Sequence, residues 1–157
     1  MNILLVSSGD MCRSRIAQEL LNSFGRGMKI GTAGISEGNC VPDIVCDFMG
    51  SKGYELSRRK PQPVCNINFS EWDFVVTLCK DADDELRTLS IEPQSRASLF
   101  FDDPFADSGL DEIEQQQELD SLFDDMYRKL YEFYRDTLSE LLMPRCTCGA
   151  NTYCRCE

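Results

Sequence analysis

Apolar residues fall in short runs separated by polar, Gly- and Pro-containing stretches, and the spacing within each run alternates between two kinds. Ile3-Leu4-Leu5-Val6 and Phe74-Val75-Val76-Thr77-Leu78 are nearly continuous apolar strings, the pattern of strands covered on both faces. Ile16, Ala17, Leu20, Leu21 and Phe24 instead recur at three- and four-residue steps, one face of a helix. Read in this way, the chain predicts strands at 2–6, about 28–33, 73–78 and about 97–101. Between them it predicts helices at about 14–24, 42–52 and 81–88, and then one long helix at about 110–142. Strict alternation of strand and helix reads as a parallel α/β sheet with helices on both faces. In such sheets ligands bind beyond the carboxyl ends of strands, which draws attention to the loops beginning at Ser7 and at Asp102-Asp103.

The last helix carries Leu119, Leu122, Phe123, Met126, Leu130, Phe133, Tyr134, Leu138 and Leu141 at helical spacing, a core-packing stripe opposite an acidic, solvated face. After Pro144 the composition changes to Arg-Cys-Thr-Cys-Gly-Ala-Asn-Thr-Tyr-Cys-Arg-Cys-Glu. The expected organisation is therefore one domain over 1–143 and a Cys-rich tail over 144–157. At 157 residues, one domain buries roughly 70% of the surface its unfolded form exposes, so its core needs no staples.

Charge and residue types narrow the chemistry. A net charge of -11 argues against a nucleic-acid backbone as partner. No apolar run approaches the roughly 20 residues of a membrane span, and Ile3–Val6 is too short and lacks the basic lead of a signal peptide, so a cytoplasmic location with reduced thiols is expected. The chain has no histidine, which removes Ser-His-Asp and Cys-His catalysis and any His-ligated metal.

The string Ser7-Ser8-Gly9-Asp10-Met11-Cys12-Arg13-Ser14 lies between a strand and an amphipathic helix, so several backbone N–H groups and a helix N-terminus should converge on one oxyanion. It resembles the C-x5-R-S loop of the low-molecular-weight protein tyrosine phosphatases and the thioredoxin-coupled arsenate reductases, with Ser7 at the Cys position. Four further strings fall in the family's order: Gly31-Thr32-Ala33-Gly34-Ile35, Gly53-Tyr54-Glu55-Leu56-Ser57, Asp73 to Asp83, and Phe101-Asp102-Asp103-Pro104. The resemblance spans nearly all of 1–142 and implies a flavodoxin-like three-layer sandwich around a four-stranded parallel sheet.

It also implies roles for individual residues. Residues 7–14 would bind the oxyanion, Arg13 would clamp it, Ser14 would hydrogen-bond Ser7 and the loop backbone, and Asp103 would be the general acid, its pKa raised by Asp102. Phe105 would stand at the pocket rim or pack in its loop. A Cys in such a loop has its pKa lowered to roughly 3.5–7.5 and attacks as a thiolate. A serine hydroxyl is not ionised there, and without a His base Ser7 shows no means of activation.

Asp10 is a second departure, because the family has Asn at that place. A carboxylate about 5 Å from a dianion would cost roughly 3 kcal/mol per charge pair at an effective dielectric near 20, which weakens binding unless Asp10 is neutralised or turned away. The arsenate-reductase relay needs two further thiols. Cys79 matches the first, but Leu86 stands at the second, so the relay cannot run.

Cys12 would be inert or, less favourably, a substitute thiolate, and Cys40, Cys46 and Cys65 are scattered singles. No cofactor is required by this reading, although Cys146, Cys148, Cys154 and Cys156 have a spacing that fits either one tetrahedral zinc or a metal-free tail. The expected function is a catalytically impaired phosphate- or oxyanion-binding protein, with a phosphotyrosine-containing protein as a possible partner. The alternative is an active phosphomonoester hydrolase, or an arsenate reductase using a different thiol.

Overall fold

A computed structural model of the chain describes residues 1–89 and 95–143. Four parallel strands, β1 (Asn2–Ser7), β2 (Lys29–Gly34), β3 (Phe74–Thr77) and β4 (Arg96–Ser98), form one sheet in the order β2-β1-β3-β4. β1 is central, pairing with β2 from Asn2↔Lys29 to Ser7↔Gly34 and with β3 from Ile3↔Phe74 to Val6↔Thr77. Its alternation divides the core between two faces. Ile3 and Leu5 enter a cluster with Ile16, Leu20 and Leu21 of α1 (Arg13–Phe24), Val45 and Met49 of α2 (Asp43–Ser51), and Leu119, Met126 and Leu130 of α4 (Glu112–Phe133). Leu4 and Val6 enter a second cluster with Cys79 and with Ala82 and Leu86 of α3 (Lys80–Thr88), joined by Val64. This is the expected three-layer α/β sandwich with a four-stranded parallel sheet.

The long C-terminal helix is not continuous. A capping box between Asp111 and Glu114 starts α4, which runs to Phe133. A π-turn, Tyr134–Leu138, then precedes the short α5 (Ser139–Leu142). Phe133 just before this wider turn and Leu138 at its end are both buried, so the core stripe runs on through it. β4 is also shorter than the sequence suggests. The chain after Ser98 still hydrogen-bonds to the end of β3, since Leu99 N donates to Thr77 O and Phe101 N to Leu78 O. These bonds deliver the 101–105 loop beside the end of β1.

Asp83, 5% exposed, ties this edge together. Its Oδ1 accepts from Thr77 Oγ1 (3.0 Å), Ser98 Oγ (2.9 Å) and Arg96 Nη2 (2.7 Å), while Oδ2 accepts from Arg87 Nε (2.9 Å). Burial alone would raise its pKa, but the hydrogen bonds from Arg87, Arg96, Ser98 and Thr77 outweigh burial and hold it well below the usual carboxylate range. Its stabilisation is therefore complete above the unfolded value of about 3.9 and disappears as pH falls from there through the folded pKa. Asp83→Asn should destabilise the chain by about 2–3 kcal/mol at pH 7, less than a fully buried pair, because the Arg87 side chain is 66% exposed. Urea midpoints measured from pH 7 to pH 2 should fall less steeply below pH 4 in the variant; parallel curves would contradict this account.

No helix among the described residues is long and apolar enough to cross a membrane.

Candidate active site

The loop between β1 and α1 wraps a small cavity of about 110 Å3, lined by Ser7, Ser8, Gly9, Met11, Cys12 and Arg13 and walled by Pro42, Asp103 and Phe105. The backbone N–H groups of Ser8, Gly9, Met11, Cys12 and Arg13 have no acceptor among the described residues, which leaves them for a ligand at the N-terminus of α1. Ser7 lies at the end of β1, 2% exposed. The strand exit of β2 braces the turn, with Ile35 N donating to Ser7 O (3.1 Å), Ser36 N to Ser8 O (2.9 Å) and Ser36 Oγ to Ser8 O (2.8 Å). Close approach explains two glycines here. A Cβ on Gly34 would sit 2.8 Å from Asp10 N, and one on Gly38 would overlap Gly9 O.

Arg13 is 8% exposed and spans the cavity wall. Its Nη1 donates to Phe101 O (3.0 Å) and its Nη2 to Ser8 Oγ (2.8 Å), with Asp103 Oδ2 3.8 Å from Nη2. Asp103 is held in turn by the Phe105 N–H on its Oδ1 (2.9 Å). Loop arginine and Asp-Pro carboxylate, 90 residues apart in sequence, thus share one wall. Asp102 lines a different depression, beside Pro104, Glu118 and Asp125, and Phe105 is at the cavity edge.

Asp10 does not face the cavity. It takes a left-handed backbone (φ 50°) and is fully buried, with its carboxylate turned behind the loop. There Arg15 Nε and Nη2 donate to Oδ1 (3.0 Å) and Oδ2 (3.2 Å), Ser14 Oγ donates to Oδ1 (2.9 Å), and Gln62 N donates to Oδ2 (3.0 Å). Arg59 Nη1 is 3.8 Å from Oδ2. The repulsion expected between Asp10 and a bound anion is therefore offset at its source. Arg15 is itself 1% exposed, donating also to Asp10 O and to the carbonyls of Ser57, Arg59 and Lys60. Sequence reasoning missed Arg15. An acid in an anion-binding loop, followed within five residues by a base next to buried Ile16, is the signal that could have revealed it.

Ser14 Oγ lies 3.1 Å from Ser7 Oγ, and Asp10 N–H donates to Ser7 Oγ at 3.3 Å. Ser7 is thus the first member of a hydrogen-bonded chain, Ser7 to Ser14 to Asp10, rather than an isolated hydroxyl. The chain does not end in a free base, because the Asp10 carboxylate is already occupied by Arg15 and Gln62.

Among the described cysteines, Cys12 alone lines the cavity. Burial pushes the Cys12 thiol up to about 12, with Arg13 opposing and Asp103 adding to the rise, so it is protonated at neutral pH. Cys79 and Leu86 both pack in the α3-side cluster. Cys40 and Cys65 are exposed and Cys46 is partly so. Cys146, Cys148, Cys154 and Cys156 lie outside the described residues. Among the described residues no group of three or more Cys, Asp or Glu side chains could hold a metal.

Solved structures of known proteins share this fold. The chain superposes on an arsenate reductase from Archaeoglobus fulgidus with a TM-score of 0.61 and 20% identity, over 82% of this chain and 98% of that one. It superposes on Vibrio vulnificus Wzb in complex with benzylphosphonate with a TM-score of 0.70 and 14% identity, over 86% and 97%. A third match is a cysteine-to-serine mutant of the YwlE arginine phosphatase with a phosphorylated active-site serine, with a TM-score of 0.64 and 17% identity over 88% and 99%. At these identities the likeness is one of fold. No curated protein matches the sequence. The low molecular weight phosphotyrosine protein phosphatase family does match it, over residues 2–141, and the chain belongs to that family.

Proposed function

We propose that this chain is a cytoplasmic oxyanion-binding member of its family with impaired catalysis, taking phosphate or a phosphomonoester, such as a phosphotyrosine side chain, in the loop of residues 7–14. The observation that carries this reading is a cradle of donors around a cavity lined by a serine hydroxyl at position 7. Arg13, the unpaired loop N–H groups and Asp103 surround the cavity, while Ser7 occupies its floor. The benzylphosphonate on Vibrio vulnificus Wzb supports a tetrahedral oxyanion as the ligand class. Hydrolysis or arsenate reduction through another thiol has Cys12 against it, since that thiol is buried and protonated.

Titration calorimetry with inorganic phosphate should give saturable binding. Turnover of an aryl phosphate should lie at least about 10³-fold below a cysteine-bearing relative, the order of loss when a nucleophile is removed. The phosphorylated serine in the YwlE mutant motivates an intact-mass measurement after exposure to the aryl phosphate. A gain of one phosphoryl group would place the block at breakdown of a phosphoserine. Turnover matching active relatives would defeat the proposal.

A further inference from the structure

We infer that Asp10 is a positioning residue that fixes the direction of the hydrogen bonds behind the loop, so that position 7 is built to hold a neutral hydroxyl and not a thiolate. A carboxylate paired with Arg15 only accepts hydrogen bonds. Ser14 has one hydroxyl proton and gives it to Asp10 Oδ1 at 2.9 Å. Toward Ser7 it can therefore act only as an acceptor, and Ser7 Oγ donates to it at 3.1 Å. All three groups are at most 2% exposed. Besides the Asp10 N–H and the helix N-terminus, a thiolate at position 7 would draw on Ser14 as a donor, because hydrogen bonds to the charged form lower such a pKa. Asp10 removes that donor. Ser7 and Asp10 are then two halves of one change, a hydroxyl that donates and a carboxylate that collects the proton at the far end.

This deepens the proposed oxyanion-site reading and predicts that restoring sulfur alone does not restore a reactive loop. The test is the pKa of the thiol in Ser7→Cys, read from the pH dependence of iodoacetamide alkylation at position 7 by peptide mass spectrometry. Adding Asp10→Asn to Ser7→Cys frees Ser14 to donate and should lower that pKa by about one unit or more, a tenfold gain in thiolate. Because Asp10→Asn leaves Arg15 buried without its counter-charge, a second variant tests the same point with Asp10 in place. Adding Ser14→Ala to Ser7→Cys should leave the pKa within about 0.3 unit, since Ser14 offers that thiol no proton. A merely structural Asp10 would change folding without moving the thiol titration. A rise of about one unit on adding Ser14→Ala, or no fall on adding Asp10→Asn in a folded protein, would overturn the inference. The titration needs no bound phosphate, so a chain that failed to bind phosphate would still return a clear answer here.

Discussion

Asp10→Ala is expected to destabilise the folded chain by about 3–5 kcal/mol, the cost of breaking a buried ion pair by removing one partner. The size follows from burial: the Asp10 and Arg15 side chains are 0% and 1% exposed, so solvent screens neither charge. The substitution leaves Arg15 without its counter-charge and removes the carboxylate acceptor of the Gln62 N–H and the Ser14 hydroxyl. It also puts a Cβ-branchless but still L residue at φ 50°, where Asp is better tolerated than Ala. Arg15→Ala should cost a similar amount by exposing the converse problem, an unpaired buried carboxylate. Urea denaturation at pH 7 measures both. A loss under about 1 kcal/mol for Asp10→Ala would show that the loop holds its shape without the pair.

Arg13→Ala should weaken phosphate binding by about 10²-fold or more, while Arg13→Lys should retain part of it. The guanidinium offers two parallel donors to an oxyanion, each charge-assisted bond contributing about 1.5–3 kcal/mol. Lysine keeps the charge but loses the planar fork. Nη2 is bonded to Ser8 Oγ at 2.8 Å, while Nη1 is anchored on Phe101 O at 3.0 Å. One arm thus positions the fork and the other is exchangeable for ligand. Calorimetry with phosphate at fixed ionic strength compares the three proteins. Equal affinities in all three would place phosphate elsewhere, and circular dichroism would separate lost binding from a lost fold.

Much of the architecture could be read from residue order because it rests on local periodicity. The uninterrupted apolar run of β1 matches a central strand covered on both faces, and the three- and four-residue steps of α1 match a helix with one buried side. The π-turn after Phe133 was illegible for the complementary reason. The leucine and aromatic stripe continues through it at helical spacing, so no local pattern marks where the hydrogen-bond register changes. The same limit applies to Asp83, whose four side-chain partners come from β3, α3 and β4, up to 15 residues away in sequence.

For the site, sequence alone determined the membership of the loop, the serine at its start and the Asp-Pro segment, because each is a property of adjacent residues. It also determined that no histidine takes part. The sign of Asp10's effect was decided only by tertiary structure. In sequence it is one more negative charge in an anion site, whereas in the fold its left-handed backbone turns the carboxylate to Arg15 and away from the cavity. Tertiary structure likewise brought Asp103 to Arg13 and linked Ser7 through Ser14 to a carboxylate. Electrostatic effects depend on distance, direction and burial, and a sequence states none of these until the chain has closed around them.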